Sequence, residues 1–155
     1  MPEEVKTIEA TRGPMIRHFS VFLPNRVGAL LDLTNALAEA NVHICGMDVV
    51  GSTDAAVVRM VVDDPARCKD VLAARDIAAT QSTVLAVELP HGPEKLDLIL
   101  RALFGAELNV EYAYSLMIRP RGKSVLAMRV QDEDFACEVL RKAGFAVLSQ
   151  SDISR

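Results

Sequence analysis

With 155 residues, half of them apolar and a quarter charged, the chain is expected to be a soluble globular protein of one ordinary domain or two small ones. A net charge of −4 without any basic stripe excludes a protein that grips nucleic acid through its phosphates. Arg119, Arg121 and Lys123, clustered around Pro120 and Gly122, read as a solvated turn.

Met1 to Pro14 is polar and stops at Gly13-Pro14, so residues 1–15 are expected to form an N-terminal arm outside the repeats. From Ile16, Phe19, Val21 and Leu23 alternate with His18, Ser20 and Phe22, the period-2 signature of a strand. Pro24, Asn25 and Gly28 break it. Leu30, Leu33 and Leu37 then follow at helical spacing, with Asp32, Asn35 and Glu39 opposite, until Asn41. Val42 to Val50 reads as a second strand, Gly51 to Asp54 as a turn, and Ala55 to Val62 as a third strand. Asp63-Asp64-Pro65 opens a second helix, because carboxylates suit a helix N-terminus and Pro its first turn. Cys68, Val71 and Leu72 face inward from it, and Ile77 to Gln81 makes a short fourth strand. The order is βαββαβ.

The same order recurs from Val84. Leu85, Val87 and Leu89 match Phe19, Val21 and Leu23 at an offset of 66 (85 − 19), as Leu96, Ile99 and Leu103 match Leu30, Leu33 and Leu37. A two-residue insertion placed before the next strand makes the offset 68 (109 − 41). It sets Asn109-Val110 on Asn41-Val42, Met128 on Met60, Asp132 on Asp64 and Val139-Leu140 on Val71-Leu72. The reading is α+β: two ferredoxin-like βαββαβ units, 16–82 and 83–155, each an antiparallel sheet with both helices on one face. Phe22, Val57 and Val61 point away from the helices. A sheet face lined in this way needs cover from the other repeat or a second chain, so a homodimer is expected.

The stretch Ser20-Val21-Phe22-Leu23-Pro24-Asn25-Arg26-Val27-Gly28-Ala29-Leu30 resembles the first strand-to-helix loop of ACT domains, a non-catalytic module that binds amino acids. It is similar to the Asn-x-Pro-Gly-x-Leu of acetolactate synthase regulatory subunits, with Val27 in place of Pro. The junction Ala38-Glu39-Ala40-Asn41-Val42 and the run Val58 to Pro65 extend the likeness, which covers Ile16 to Ile153. The resemblance implies an amino acid lying between this loop and the second strand of a paired domain. Carried over by position, the binding residues are Asn25, Arg26, Val27, Gly28 and Ala29, with Ile44, Cys45, Gly46 and Met47 on the second strand. Physically, Asn25 either caps the helix or presents its amide to a ligand, Gly28 lets the backbone come close, and the helix N-terminus attracts a carboxylate.

The second copy departs from the pattern, with His91, Gly92, Pro93 and Glu94 in place of Asn25, Arg26, Val27 and Gly28. Either Glu94 repels a ligand carboxylate, so that this loop has lost binding or prefers a different ligand, or Gly92 takes the role of Gly28 two residues earlier. His91 either contacts a ligand or is solvated. Tyr112 and Tyr114 share a face and either pack or close a pocket at the boundary between the repeats.

No cofactor and no metal site is expected. The three cysteines, Cys45, Cys68 and Cys137, form no C-x-x-C pair and no even set. Of the three histidines, only His43 neighbours a nucleophile, Cys45, and no orienting Asp or Asn accompanies them at that spacing, so no enzyme is expected. An RNA-binding module of the same strand order stacks bases on aromatics in its third strand, and neither copy has one there. The Met-Pro-Glu-Glu start is not a secretion signal and no apolar run spans a bilayer, so the expected setting is cytoplasmic. The expected partners are an amino acid, a second copy of the chain and a metabolic enzyme, with acetolactate synthase as the enzyme the resemblance suggests.

Overall fold

A computed structural model describes residues 15–154; the expected N-terminal arm, apart from Met15, lies outside them. The first unit runs β1 (Ile16–Pro24), α1 (Ala29–Glu39), β2 (Ile44–Gly51), β3 (Ala55–Val62) and α2 (Pro65–Ala74). Strand β4 (Ala79–Leu89) leads into a 3-10 turn (Gly92–Lys95) and α3 (Leu96–Gly105). After them come β5 (Val110–Ser115), β6 (Ser124–Val130), α4 (Glu133–Lys142), β7 (Val147–Leu148) and the short α5 (Gln150–Ile153).

The sheet is antiparallel, in the order β2-β3-β1-β4-β6-β5, with β7 also on β4. Strand β4 is the hinge of the architecture. Its first half pairs with β1, from Val21↔Ala79 to Ile16↔Val84, and its second half pairs with β6, from Leu85↔Met128 to Leu89↔Ser124. Two separate strands at Ile77–Gln81 and from Val84 are thus one strand, and the expected division between residues 82 and 83 falls inside it. Nothing in Thr80-Gln81-Ser82-Thr83 supplies the Gly or Pro that would break an extended chain.

Each unit has its own helix-covered core. Phe19, Val21, Leu33, Leu37, Met60 and Leu72 fill the first, and Leu85, Val87, Ile99, Leu103, Met128 and Leu140 the second. A third core lies between the helix-free faces, where Ile16, Cys45 and Val61 meet Val84, Ala86, Val125, Ala127 and Leu148. The second repeat therefore covers part of the face that the alternation left bare. One row stays open: Val50, Val57 and Phe22 lie directly across three neighbouring strands, and Phe22 and Val50 are 45% and 46% exposed.

The duplication is visible in detail. Asp64 accepts from the Arg67 amide and Asp132 from the Phe135 amide, both at 3.1 Å, capping α2 and α4. Replacing either Asp by Ala should cost about 1 kcal/mol in urea denaturation. The register moves the two-residue insertion, however. Asn41 and Glu107 hold the same left-handed position after α1 and α3, with φ of 60° and 57°, and β-bulges fall at Ile44/Gly46 and at Val110/Tyr112. The offset of 66 thus persists through β5, and the extra residues lie in the β5–β6 connection, not ahead of β5. Asn109 is not the counterpart of Asn41, because sequence identity alone misplaced a gap that hydrogen bonding locates.

Candidate functional site

Strand β1 ends with Pro24 opposite Ala55, beside the β2–β3 turn. There the Asn25 amide donates to the carbonyls of Ser52 (2.8 Å) and Thr53 (3.2 Å), so its side chain clamps the turn and does not cap α1. Gly28 is the N-cap, at φ +89°, a left-handed conformation that Gly adopts without Cβ strain. No side chain caps the eleven-residue helix behind it. Arg26 folds back over this end, with Nη1 donating to the Val27 carbonyl (3.3 Å) and Nη2 3.2 Å from the Asp32 carboxylate. Val27 is fully exposed and Ala29 is buried beneath. The loop offers first-turn amides, a positive helix end and one guanidinium, a set suited to a carboxylate.

Ile44 to Met47 lie elsewhere. Gly51, near the loop, pairs with Ala56, while Ile44 pairs with Val62; the seven residue steps from Ile44 to Gly51 span roughly 23 Å. This start of β2 instead meets the end of β5. The Met117 amide donates to the Cys45 carbonyl at 2.6 Å, and a Cβ on Gly46 would lie 2.6 Å from Leu116 Cδ2. The contact joins the two outer strands and curls the sheet on itself. The loop of the second repeat leaves β4 at this same end, after Leu89 pairs with Ser124. There His91 is exposed and Gly92, at φ +62°, opens the extra 3-10 turn. The expected residues therefore separate into the Asn25–Ala29 loop at one end and Ile44–Met47 with His91 and Gly92 at the other.

Tyr112 and Tyr114 point inward between the sheets, where His18 is fully buried. The His18 ring centroid is 5.6 Å from that of Tyr112 and 6.0 Å from that of Tyr114, and Nδ1 lies 3.4 Å from Ser82 Oγ. Arg59 stacks on Tyr112 at 4.1 Å from the ring centre and stands 3.7 Å from Asp48. Burial, with Arg59 and Arg129 adding to it, lowers the His18 pKa to about 4, and burial raises that of both tyrosines. The imidazole and both phenols are thus neutral near pH 7. Neither His18 Nε2 nor the Tyr114 hydroxyl has a hydrogen-bond partner among the described residues. Sequence reasoning singled out the tyrosines and missed His18, Asp48, Arg59 and Ser82. The available signal was a histidine on the strand face that also carries Ile16.

The His43 ring bonds Asp63, with Nδ1 2.9 Å from Oδ2, while the backbone amide of His43 donates to Oδ1 at 2.7 Å. An orienting carboxylate thus does exist, supplied from the residue after β3. Cys45 Sγ lies 3.9 Å from the His43 carbonyl oxygen, and its residue is buried in the inter-sheet core. Burial pushes the Cys68 thiol up to about 12, with Asp64 contributing, and also raises Cys137. Both are protonated and poor nucleophiles. Among the described residues no three His, Cys, Asp or Glu side chains gather as metal ligands, and no helix is long and apolar enough to cross a membrane.

This architecture is a tandem pair of ferredoxin-like units fused through one strand. The chain belongs to the ACT domain pair family, whose pattern it matches over residues 15–155. Among solved structures it is similar to protein BT0572 from Bacteroides thetaiotaomicron, at 25% identity and a TM-score of 0.82, covering 91% of this chain and 96% of that one. It also resembles the ligand-free regulatory subunit of aspartate kinase from Thermus thermophilus (13% identity, TM-score 0.58, 84% and 93% covered). The corresponding subunit from Thermus flavus is similar at 14% identity and a TM-score of 0.51, with 84% and 92% covered. At these identities the two kinase subunits bear on the fold alone. No curated protein matches the sequence.

Proposed function

We propose that this chain is a non-catalytic regulatory protein that binds an amino acid, with the Asn25–Ala29 loop receiving the ligand's carboxylate. The observation that carries the reading is the N-terminus of α1, which no side chain caps and which Gly28 leaves open beside the Arg26 guanidinium. Asn25 serves by holding the loop on the β2–β3 turn, and Ala29 packs beneath it. Membership of the ACT domain pair family supports the ligand class. The buried thiols of Cys68 and Cys137 accord with a reducing, cytoplasmic setting.

The chain acts as a homodimer in this reading. The open row Val50–Val57–Phe22 supports it, since apolar side chains aligned on a bare sheet face favour cover. Ligand binding would then reach a partner enzyme by favouring one arrangement of the copies.

The test is a thermal-shift screen against the standard amino acids. A ligand at a hundred times its Kd adds about 2.7 kcal/mol of stability. Arg26→Glu should abolish the shift of the responding amino acid while leaving the melting temperature of the free protein unchanged, because the Arg26–Asp32 pair is exposed. A shift that survives Arg26→Glu removes the loop from the site. If no amino acid moves the wild-type protein, the sensor reading itself fails.

A further inference from the structure

The two repeats carry equivalent clefts that differ in charge. In the first unit a cleft of about 620 Å³ opens at the N-terminal end of α2, with Arg17, Asp63, Asp64 and Arg67 in its wall. Two carboxylates there accompany two guanidiniums, so the lining is balanced. With the offset of 66 residues Arg17 corresponds to Thr83, and with that of 68 Asp64 corresponds to Asp132. Thr83 and Asp132 line the matching cleft of the second unit, of about 530 Å³, beside α4. The charged residues of this lining are Asp132, Glu133, Asp134 and Arg129. Arg129 is already engaged by Glu133, by the Thr83 carbonyl at 3.0 Å and by Glu111 at 3.9 Å. The second cleft is therefore acidic.

Its surroundings are also more apolar. Leu108 lines this cleft and a neighbouring one of about 550 Å³, formed with Phe104, Gly105, Glu107 and Asn109. The two adjoin at Leu108, so one depression runs from the end of α3 to the start of α4. Phe104 is 84% exposed, and Leu100, one turn earlier on the same side of α3, is 46% exposed. The first unit has Ala38 and Thr34 at these positions, and Asn41 in place of Glu107. Phe135, exposed in the first turn of α4, stands where the first unit has Arg67. Arg67 donates from Nη1 to the Ala40 carbonyl just after α1 (3.2 Å), so the place of Phe135 borders the end of α3. The first unit forms this surface from small and polar residues, and the fold does not require aromatic ones. A phenylalanine this exposed adds nothing to the core, and neighbouring apolar side chains in water mark an interaction surface.

We infer that this depression docks a basic segment of a partner protein, with an apolar side chain on Phe104 and Leu108 and flanking Lys or Arg residues on the carboxylates. Charge selects the occupant. A second copy presenting the same face would set Glu107, Asp132 and Asp134 against their own counterparts, and like charges across an interface are unfavourable. A segment with an apolar anchor between cations matches both properties of the depression. The surface shares no residue with the Asn25–Ala29 loop or with the Val50–Val57–Phe22 row, so it stands or falls apart from them.

The chain has no Trp, so a peptide with one Trp and one Leu flanked on both sides by Lys pairs can be followed by its own fluorescence. With the full chain its emission should shift to the blue and saturate, and binding should weaken as salt is raised. Phe104→Ala, which installs the residue of the first unit, should weaken binding at least about tenfold, as loss of an interface anchor does. Glu107→Asn should weaken it as well. Both variants should melt as the wild type does, because Phe104 is exposed and Asn suits the left-handed conformation of Glu107, as at Asn41. A peptide with Glu in place of Lys should give no shift. The inference is overturned if the Lys peptide gives no blue shift, if the Glu peptide responds equally, or if both substitutions leave binding unchanged. Two further results overturn it by giving the surface another occupant. Self-association of the wild type that sedimentation shows to be lost in Phe104→Ala assigns it to a second copy. A blue shift that appears only with Val5→Ser and Ile8→Ser assigns it to the N-terminal segment of the chain itself.

Discussion

Gly46→Val should destabilise the protein by about 2–3 kcal/mol, the cost of overpacking a closed contact. The site is crowded by backbone as well as side chain. A Cβ there would lie 2.6 Å from Leu116 Cδ2, 3.2 Å from Leu116 Cα and 3.4 Å from the Ser115 carbonyl oxygen. The Leu116 side chain can rotate, but its Cα cannot retreat without parting β2 from the end of β5. The hydrogen bond from Met117 to the Cys45 carbonyl, the next residue along, would then lengthen. Urea denaturation should therefore show a lower midpoint, and hydrogen exchange should show faster loss of the Met117 amide. Gly51→Val is the control on the same strand, because a Cβ on Gly51 meets nothing within 4 Å. Equal midpoints for the two variants would show that the seam between the outer strands contributes nothing to stability.

Acidification should weaken the fold through His18. Its pKa is about 4 in the folded protein, against an ordinary 6.5, because burial disfavours the charged ring and Arg59 and Arg129 repel it. The unfolded chain thus takes up a proton in a range where the folded one does not. Stability from this group is complete above about pH 6.5 and falls as the pH drops towards about 4. The shift corresponds to at most about 3 kcal/mol. Urea midpoints measured across this window should fall more steeply for the wild type than for His18→Val, the residue that the second repeat places at this position. Parallel curves would mean that His18 is not the group responsible. The same substitution should raise stability near neutral pH, since it removes the unpartnered Nε2 from the core.

Much of this molecule was written in local pattern. Alternation in Phe19-Val21-Leu23 and Leu85-Val87-Leu89, helical spacing in Leu33-Leu37 and Ile99-Leu103, and the caps Asp64 and Asp132 each act through neighbouring residues. Their periodicity fixes which face is buried before any long-range contact forms, so the duplicated βαββαβ order and the two helix-covered cores were legible. The Asn25–Gly28 loop was legible as a segment but not in its workings. Asn25 finds its partners at Ser52 and Thr53, across a turn that only the pairing of β1 with β3 brings near.

What the tertiary structure alone decided lies where the repeats touch. Thr80 to Thr83 suits either a link or a strand, and β4 runs through it because β1 and β6 hydrogen-bond its successive halves. Gly46 reads as one more glycine until Leu116 arrives, and His18 as one more exposed strand residue until Tyr112 and Tyr114 close over it. Local sequence sets which side of a strand a residue occupies. Whether that side meets water or another sheet depends on how two units curl together, a balance of contacts far apart in the chain that no window of sequence contains.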